Sequence, residues 1–333
     1  MNHSTFKSFT FGIGLFFTLP LVYGNSSSSS SSDGTLYINK SKTHKVASVK
    51  YGFHYEEIGM MGEGALHAEL IRNRSFEEAT PPAGLSVKNG LYENVPAPRV
   101  KEKKVFQADP LIGWTTYPLS YTPVFISRTD ENPMSGENKY SMLVNVTEDI
   151  ANHPDALILN RGYYGMNLKT DTSYRLSLFL KNRNYSAPLR VFLVDEWGQR
   201  VSNVIEVNVG NREWTKYTGE LKPEKNARRG MFAIQPMSKG QFQIDVVSLF
   251  PSDTWNDGRS VFRKDIVQNL KEFSPSFIRF PGGCIVHGVN EETMYHWKKT
   301  LGPIENRPGQ WSKWAPYYRC LLYTSPSPRD PKT

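Results

Sequence analysis

The hydrophobic period of this chain changes twice, and that double change limits its architecture more than any other feature. Between about Asp109 and Phe250, apolar residues recur at every second position in short runs. Tyr174, Leu176, Leu178 and Leu180 alternate with Arg175, Ser177 and Phe179, and Phe242, Ile244 and Val246 alternate with Gln241, Gln243 and Asp245. Residues 191–194 form an unbroken apolar run, and turn residues at 182–184, Trp197-Gly198 and Gly210-Asn211 separate the runs. Successive side chains of a strand point to opposite faces, so these are strands of half-buried sheets. Their number and spacing predict an all-β sandwich or jelly roll.

On both sides of this block the pattern is that of an α/β domain. Residues 50–58 read as a strand, broken by Gly62 and Gly64, and Ala65 to Phe76 reads as a helix with Leu66, Leu70 and Ile71 on one face. Prolines and glycines from Pro81 to Pro98 mark loops. Beyond Pro251, Phe262, Ile266, Leu270 and Phe273 sit at helical spacing, Asp265 and Lys271 point outward, and Ser274-Pro275 stops the helix. Phe277 to Phe280 then reads as a short buried strand ending at Pro281-Gly282-Gly283. Helix followed by strand is the unit of an α/β barrel. The chain is therefore expected to begin an α/β domain at 49–80, leave it for an inserted sandwich at 81–250, and return at 251–319. Loops tolerate such insertions because domain termini often lie close together.

The ends carry other information. Lys7 followed by the apolar stretch from Phe9 to Val22, with small residues at Val22 and Gly24, predicts a signal peptide over 1–24 and a secreted, periplasmic or extracellular protein. The stretch is short of the roughly 20 residues a spanning helix needs, so no membrane association is expected after cleavage. Residues 25–48 begin with a serine run that suits a flexible lead-in. At the other end, Cys320 to Asp330 reads, codon for codon and in one frame, as a translated transposase sequencing adapter. Residues 320–333 are accordingly set aside, and the gene is expected to continue past Arg319.

Composition excludes more than it selects. The formal charge is +8, but Lys101, Lys103 and Lys104, and Arg228 with Arg229, are short runs among acids. No stripe of cations interleaved with aromatics marks a nucleic-acid partner. Cys284 and Cys320 are the two cysteines and form no disulfide framework. His287 and His296 have no metal-ligand spacing with other donors, so no metal and no cofactor are expected.

Three stretches suit chemistry on sugars. Tyr51 to Gly59 places Glu56 and Glu57 where the first strand ends, which in a barrel is the active-site rim; the same acids would equally suit a surface or a helix start. Arg279, before the paired glycines, can meet a ligand or bridge strand ends, and Cys284 can contact a ligand or simply pack. Trp297, before the segment from Gly302 to Gly309, suits a wall of a sugar site or a core position.

Taken together, these stretches resemble the α-L-arabinofuranosidases of glycoside hydrolase family 51. The likeness rests on Tyr51–Gly59, on GALHAELIRNRSFE from Gly64, and on FIRFPGGCIVHG and YHWKKTLGPIENRPG within 277–309. Residues 174–177 and 245–251 resemble the carbohydrate-binding-type sandwich of one branch of the family. The resemblance implies a (β/α)8 barrel, here partial, and removal of terminal arabinofuranosyl units from arabinan, arabinoxylan or arabinogalactan with retention of configuration. It also implies substrate contacts at Glu56, Arg279 and Cys284. Some relatives carry Asn where Cys284 stands, and many carry an acid where His287 stands. The two catalytic glutamates of the family have no counterpart motif here and are expected beyond Arg319. A closed barrel takes roughly 250 residues, whereas about 100 remain outside the sandwich, enough for about two strands. The stretch alone is expected to be inactive and its barrel portion poorly stable. The alternative expectation is a non-catalytic protein that binds polysaccharide through the sandwich. Oligomeric state is not legible in the sequence.

Overall fold

A computed structural model describes residues 41, 49, 51–56, 58, 60–79, 86–88, 91–93, 109–288, 291 and 294–309. The leader and serine run, Lys50, Glu57, Gly59, most of 80–108 and everything from position 310 onward lie outside the described residues. The adapter-like tail and the expected position of the catalytic glutamates therefore lie outside them too.

Along the chain come β1 (Phe53–His54), a hairpin of β2 (Ser86–Lys88) and β3 (Leu91–Glu93), and then β4 (Trp114–Tyr117), β5 (Val124–Thr129), β6 (Ser141–Val146), β7 (Leu157–Asn160) and β8 (Met166–Leu168). Next are β9 (Tyr174–Asn182), β10 (Pro188–Val194), β11 (Ile205–Asn208), β12 (Thr215–Leu221), β13 (Ala227–Gln235) and β14 (Gly240–Pro251). Helix α1 (Lys264–Glu272), β15 (Ile278–Arg279) and the short α2 (Gly283–His287) follow. The described chain is mostly sheet, with few helices.

Strands β4 to β14 make two antiparallel sheets. One runs β12-β9-β14-β6-β5, the other β11-β10-β13-β7-β4 with β8 also on β13. Their inner faces share one core, in which Val144, Leu178 and Phe242 of the first sheet join Ile158, Leu193 and Phe232 of the second. On β9 the alternation holds as expected: Tyr174, Leu176, Leu178 and Leu180 are buried and Arg175 is exposed. Each such leucine contributes about 1.5–3 kcal/mol by leaving water. The second sheet is apolar on its outer face as well, where Leu157, Leu159, Phe192, Val194, Met231 and Ala233 form a separate buried cluster. Burial of both faces explains why 191–194 reads as an unbroken apolar run.

Strand β14 departs from its expected alternation. Gln243 and Asp245 are fully buried, not outward. Gln243 Nε2 donates to Ser141 Oγ at 3.0 Å and to the Glu131 carbonyl at 2.9 Å, and Asp245 Oδ2 accepts from Asn138 Nδ2 at 3.1 Å. The register shifts between Asp245 and Ser248, where Val246 has φ +41. A bulge bends the strand locally and re-aims side chains. Burial pushes the Asp245 carboxyl well above its usual range, against the Val246 N–H and Asn138, which stabilise its charged form.

The helix expected over Ala65–Phe76 does not form. A single wide turn covers Gly62–Leu66, and the chain then runs irregularly, with Asn73 at φ +51 and Phe76 at φ +57. Tertiary bonds hold it in place of helical ones. Leu70 N donates to Leu249 O at 3.1 Å, Val247 N to Arg74 O at 2.9 Å, and Trp114 Nε1 to Asn73 O at 3.1 Å. Its charged residues are inside: Glu69 and Arg74 pair at 2.9 Å, and Glu77 Oε1 accepts from Lys139 N at 2.7 Å and Tyr140 N at 2.9 Å. A helix would satisfy its own backbone and orphan those partners on the sandwich. The segment that resembles GALHAELIRNRSFE is thus a strap stitched to β14.

Outside the sandwich, β1 and β15 pair in parallel, Phe53 opposite Ile278 and His54 opposite Arg279. This is the one parallel pairing among the described strands. The first strand is shorter than expected, two residues within 50–58, and β15 is exposed, not buried. Two strands alone bury neither face of the pair. Helix α1 lies within the expected helix and has no fully buried residue.

Candidate functional site

The parallel pair brings two sequence-distant segments to a common rim. Phe53 N donates to Phe277 O at 3.0 Å and Tyr55 N to Arg279 O at 2.8 Å, so β1 and β15 stop at the same level. Glu56 lies two residues past the end of β1. The turn Pro281-Gly282-Gly283 follows β15 and leads into α2.

The Glu56 side chain crosses from one strand end to the other. Its Oε1 accepts a hydrogen bond from Cys284 N at 3.2 Å. Gly282 makes the crossing possible: its φ is +109, and a Cβ there would overlap the Glu56 side chain. Only glycine accepts both the dihedral and the approach. Arg279 lies alongside, with Nη1 3.3 Å from His54 Nε2 and Nη2 over Gly283, 3.4 Å from where a Cβ would sit. The expectation that Arg279 sits on a buried strand is thereby corrected: β15 is open to solvent, and the guanidinium lies against the His54 ring.

Three of the four sequence-derived candidates, Glu56, Arg279 and Cys284, are therefore drawn together by the rim. Trp297 begins the turn Trp297–Thr300 and is 51% exposed, which removes it from the core; its ring lies 5.9 Å from Lys298 Nζ. No contact joins it to the other three among the described residues. Glu57 lies outside the described residues. Cys284 is a free thiol. His287 turns back on its own turn, Nδ1 lying 2.8 Å from Gly288 O. Aromatic rings buttress the rim from behind: Tyr55 against Phe280 at 5.6 Å, and Phe280 edge-on to Tyr295 at 6.4 Å.

Chemically, the rim presents an acceptor, a cationic donor fork and a backbone turn on two rigid strand ends. Adjacent sugar hydroxyls need such complementary donors and acceptors. No group of three or more His, Cys, Asp or Glu side chains among the described residues is arranged to hold a metal ion. Below the rim, an apolar cleft of about 540 Å³ lies between the strand pair and α1, bordered by Phe53, Leu66, Trp255, Val267 and Leu270.

A second, larger cavity of about 720 Å³ escaped the reading of the sequence. It lies where the strap, the loop between β7 and β8, the end of β14 and the start of α1 converge, and it is bordered by His67, Tyr163, Tyr164, Asp253 and Lys264. The signal available in the sequence was the Gly162-Tyr163-Tyr164-Gly165 run, two adjacent tyrosines between glycines inside an otherwise alternating block.

Residues 269–319 match the family model of the alpha-L-arabinofuranosidase 1 domain. Alpha-L-arabinofuranosidase 1 of Arabidopsis thaliana is 28% identical over 274 residues, which is 80% of this chain and 36% of that protein. The extracellular exo-alpha-L-arabinofuranosidase of Streptomyces chartreusis is 26% identical over 278 residues, 80% of this chain and 29% of that one. The chain thus spans about a third of the length of these curated relatives. Among solved structures, the arabinose-bound MgGH51 α-L-arabinofuranosidase superposes with a TM-score of 0.67 at 24% identity, covering 86% of this chain and 42% of that one. No helix among the described residues is long and apolar enough to cross a membrane. By sequence the chain is similar to α-L-arabinofuranosidases, and its fold is similar to that of one from glycoside hydrolase family 51.

Proposed function

We propose that this chain belongs to a secreted retaining glycosidase that releases terminal α-L-arabinofuranosyl units from arabinan, arabinoxylan or arabinogalactan, and that it contributes sugar-binding groups to that reaction. One observation carries the reading: the Glu56 carboxylate, bonded to Cys284 N, and the Arg279 guanidinium share the rim where two parallel strands end. In α/β barrels that rim is where substrates bind. Glu56 accepts from a sugar hydroxyl, Arg279 donates to its neighbour, and the turn at Cys284 closes the side of the site, with Trp297 as an outer wall.

In this reading β1, α1 and β15 are a piece of a (β/α)8 barrel, and the sandwich of β4–β14 is a carbohydrate-binding-type jelly roll inserted after the first barrel strand. Parallel pairing with a helix ahead of the second strand supports the barrel. So does the apolar cleft between α1 and the strands, a surface that further barrel elements would cover.

Retaining hydrolysis takes two carboxyl groups roughly 5–5.5 Å apart, one a nucleophile and one an acid and then a base. Glu56 is given neither role: in this reading it braces the turn through Oε1 and accepts from a sugar hydroxyl. The reading assigns both catalytic carboxylates to the part of the longer relatives that this chain does not cover. The chain as it stands therefore binds without turning over.

The test has two readouts on the full chain. Incubation with p-nitrophenyl α-L-arabinofuranoside is expected to release no nitrophenolate above the blank. Saturation-transfer NMR with arabinofuranosyl oligosaccharide is expected to show contact that Glu56→Gln and Arg279→Ala each reduce. Turnover would overturn the assignment of roles, and contact indifferent to both substitutions would overturn the site.

A further inference from the structure

The geometry points to a second glycan-binding site in the 720 Å³ cavity between the strap, the β7–β8 loop and the start of α1, built for a neutral oligosaccharide and using Tyr164 as its stacking platform. It rests on the preceding reading only for the identity of the sugar.

Size and lining come first. A cavity of this volume falls in the range of about 300–1,000 Å³ typical of small-molecule sites. Its charged lining is balanced: Lys169, Arg263 and Lys264 face Glu69, Asp253 and Asp265. Arg263 grips Asp265 with bonds of 3.1 and 2.6 Å, and Glu69 is held by Arg74 from outside the lining. The charges left, Lys169, Lys264 and Asp253, offer a polyhydroxylated ligand both donors and an acceptor.

The aromatic wall comes second. Tyr163 is fixed: Gly64, at φ +84, lies so close that a Cβ would come within 2.6 Å of its ring, and the Arg72 guanidinium carbon stands 5.9 Å from the ring centroid. Its neighbour Tyr164 borders the same cavity but is 84% exposed. A flat ring offered to the apolar face of a sugar accounts for it.

A buried polar atom comes third. His67 is 3% exposed and borders the cavity, and its Nδ1 has no hydrogen-bond partner among the described residues. Burial, and secondarily the charge of Arg74, hold the ring well below its usual pKa, so it is neutral. An orphaned buried nitrogen costs about 1–3 kcal/mol, and since Nδ1 itself is closed to solvent, a ligand hydroxyl reaches it only if the ring turns.

Position ties the cavity to the rim. A helix crossing between two parallel strands begins at the end where the first strand stops. The start of α1, which borders the cavity, therefore lies on the same side of the β1–β15 pair as Glu56 and Arg279. A polysaccharide whose branch reaches the rim would lay its backbone in the cavity.

The experiment is titration calorimetry of the full chain with soluble arabinoxylan, linear arabinan and cellohexaose, repeated with Tyr164→Ala, Asp253→Asn and, as a control outside the cavity, Trp197→Ala. Thermal melts check that each variant keeps its fold. Tyr164→Ala is expected to weaken arabinoxylan binding about tenfold, a change of one decade in Kd. Asp253→Asn is expected to weaken it less, and Trp197→Ala to leave it unchanged. Arabinoxylan binding that ignores Tyr164→Ala overturns the cavity and leaves the arabinofuranosidase reading standing. Binding of cellohexaose alone, lost in Tyr164→Ala, upholds the cavity and sinks the substrate reading. No binding of any glycan overturns the cavity.

Discussion

The Glu69 carboxylate and the Arg74 guanidinium meet at 2.9 Å with side chains 0% and 3% exposed, a pair that lies wholly within the strap. Glu69 also accepts from Ser248 Oγ at 2.6 Å, Leu249 N at 2.8 Å and Ile71 N at 3.0 Å. Burial raises the Glu69 pKa even so, since desolvation outweighs Arg74 and the three hydrogen bonds that favour its charged form.

Breaking this pair is expected to be far worse than replacing it. Glu69→Ala or Arg74→Ala leaves a buried partner charge uncompensated, a loss of about 3–5 kcal/mol. The double replacement by Leu and Met removes both charges and is expected to recover much of that loss. Urea unfolding of the two single variants and the double variant measures the difference. A double variant no better than the singles would mean that the hydrogen bonds to Ser248 and Leu249, not the charge pair, hold the strap.

A neighbouring carboxylate makes stability depend on pH. Glu78 lies 3.4 Å from Arg72, and burial pushes its pKa from 4.5 to about 7, against the pull of Arg72. The folded form therefore holds a proton that the unfolded chain gives up at lower pH. The sign follows from linkage: the contribution is fully present below pH 4.5 and is lost as pH rises through about 7. Glu69 and Asp245, also raised by burial, act in the same direction. Glu78→Gln keeps a neutral side chain at every pH. Between pH 5 and 8 the melting temperature of the parent chain is expected to fall relative to Glu78→Gln. Parallel curves for the two proteins across that window would place the Glu78 proton elsewhere.

These buried carboxylates also mark the limit of what the sequence discloses. Strand β9 was legible because one face is buried and one is not, so its pattern survives in the residue order. Helix α1 was legible from the helical period of its apolar residues, although none of them is fully buried. The strap was not: Leu66, Leu70 and Ile71 have helical spacing, and nothing local says that Glu69 and Glu77 will find partners more than sixty residues away on β14 and beside β6. The buried Gln243 and Asp245 deceive in the same manner, since a polar residue inside a sheet reads as an outward one until its partner is known. At the rim, the types of Glu56, Arg279 and Cys284 were legible from the resemblance. That Glu56 spans the gap to Cys284 N was not, because it depends on the register of β1 against β15.

That spanning contact depends on one glycine and not on the next. Gly282 has φ +109, and a Cβ there would run into the Glu56 side chain, whereas a Cβ on Gly283 would meet only Arg279 Nη2 at an ordinary 3.4 Å. Gly282→Ala must move the turn, displace Glu56, or both, at about 1–3 kcal/mol for the dihedral alone. Gly283→Ala escapes that dihedral penalty and is expected to cost less than about 1 kcal/mol. The Cys284 amide proton reports on the contact directly: its NMR shift is expected to move in Gly282→Ala and in Glu56→Gln, and to stay near its parent value in Gly283→Ala. If the two glycine variants behave alike, the close approach of Glu56 to the turn is not what fixes the rim, and the binding role assigned to Glu56 loses its geometric basis.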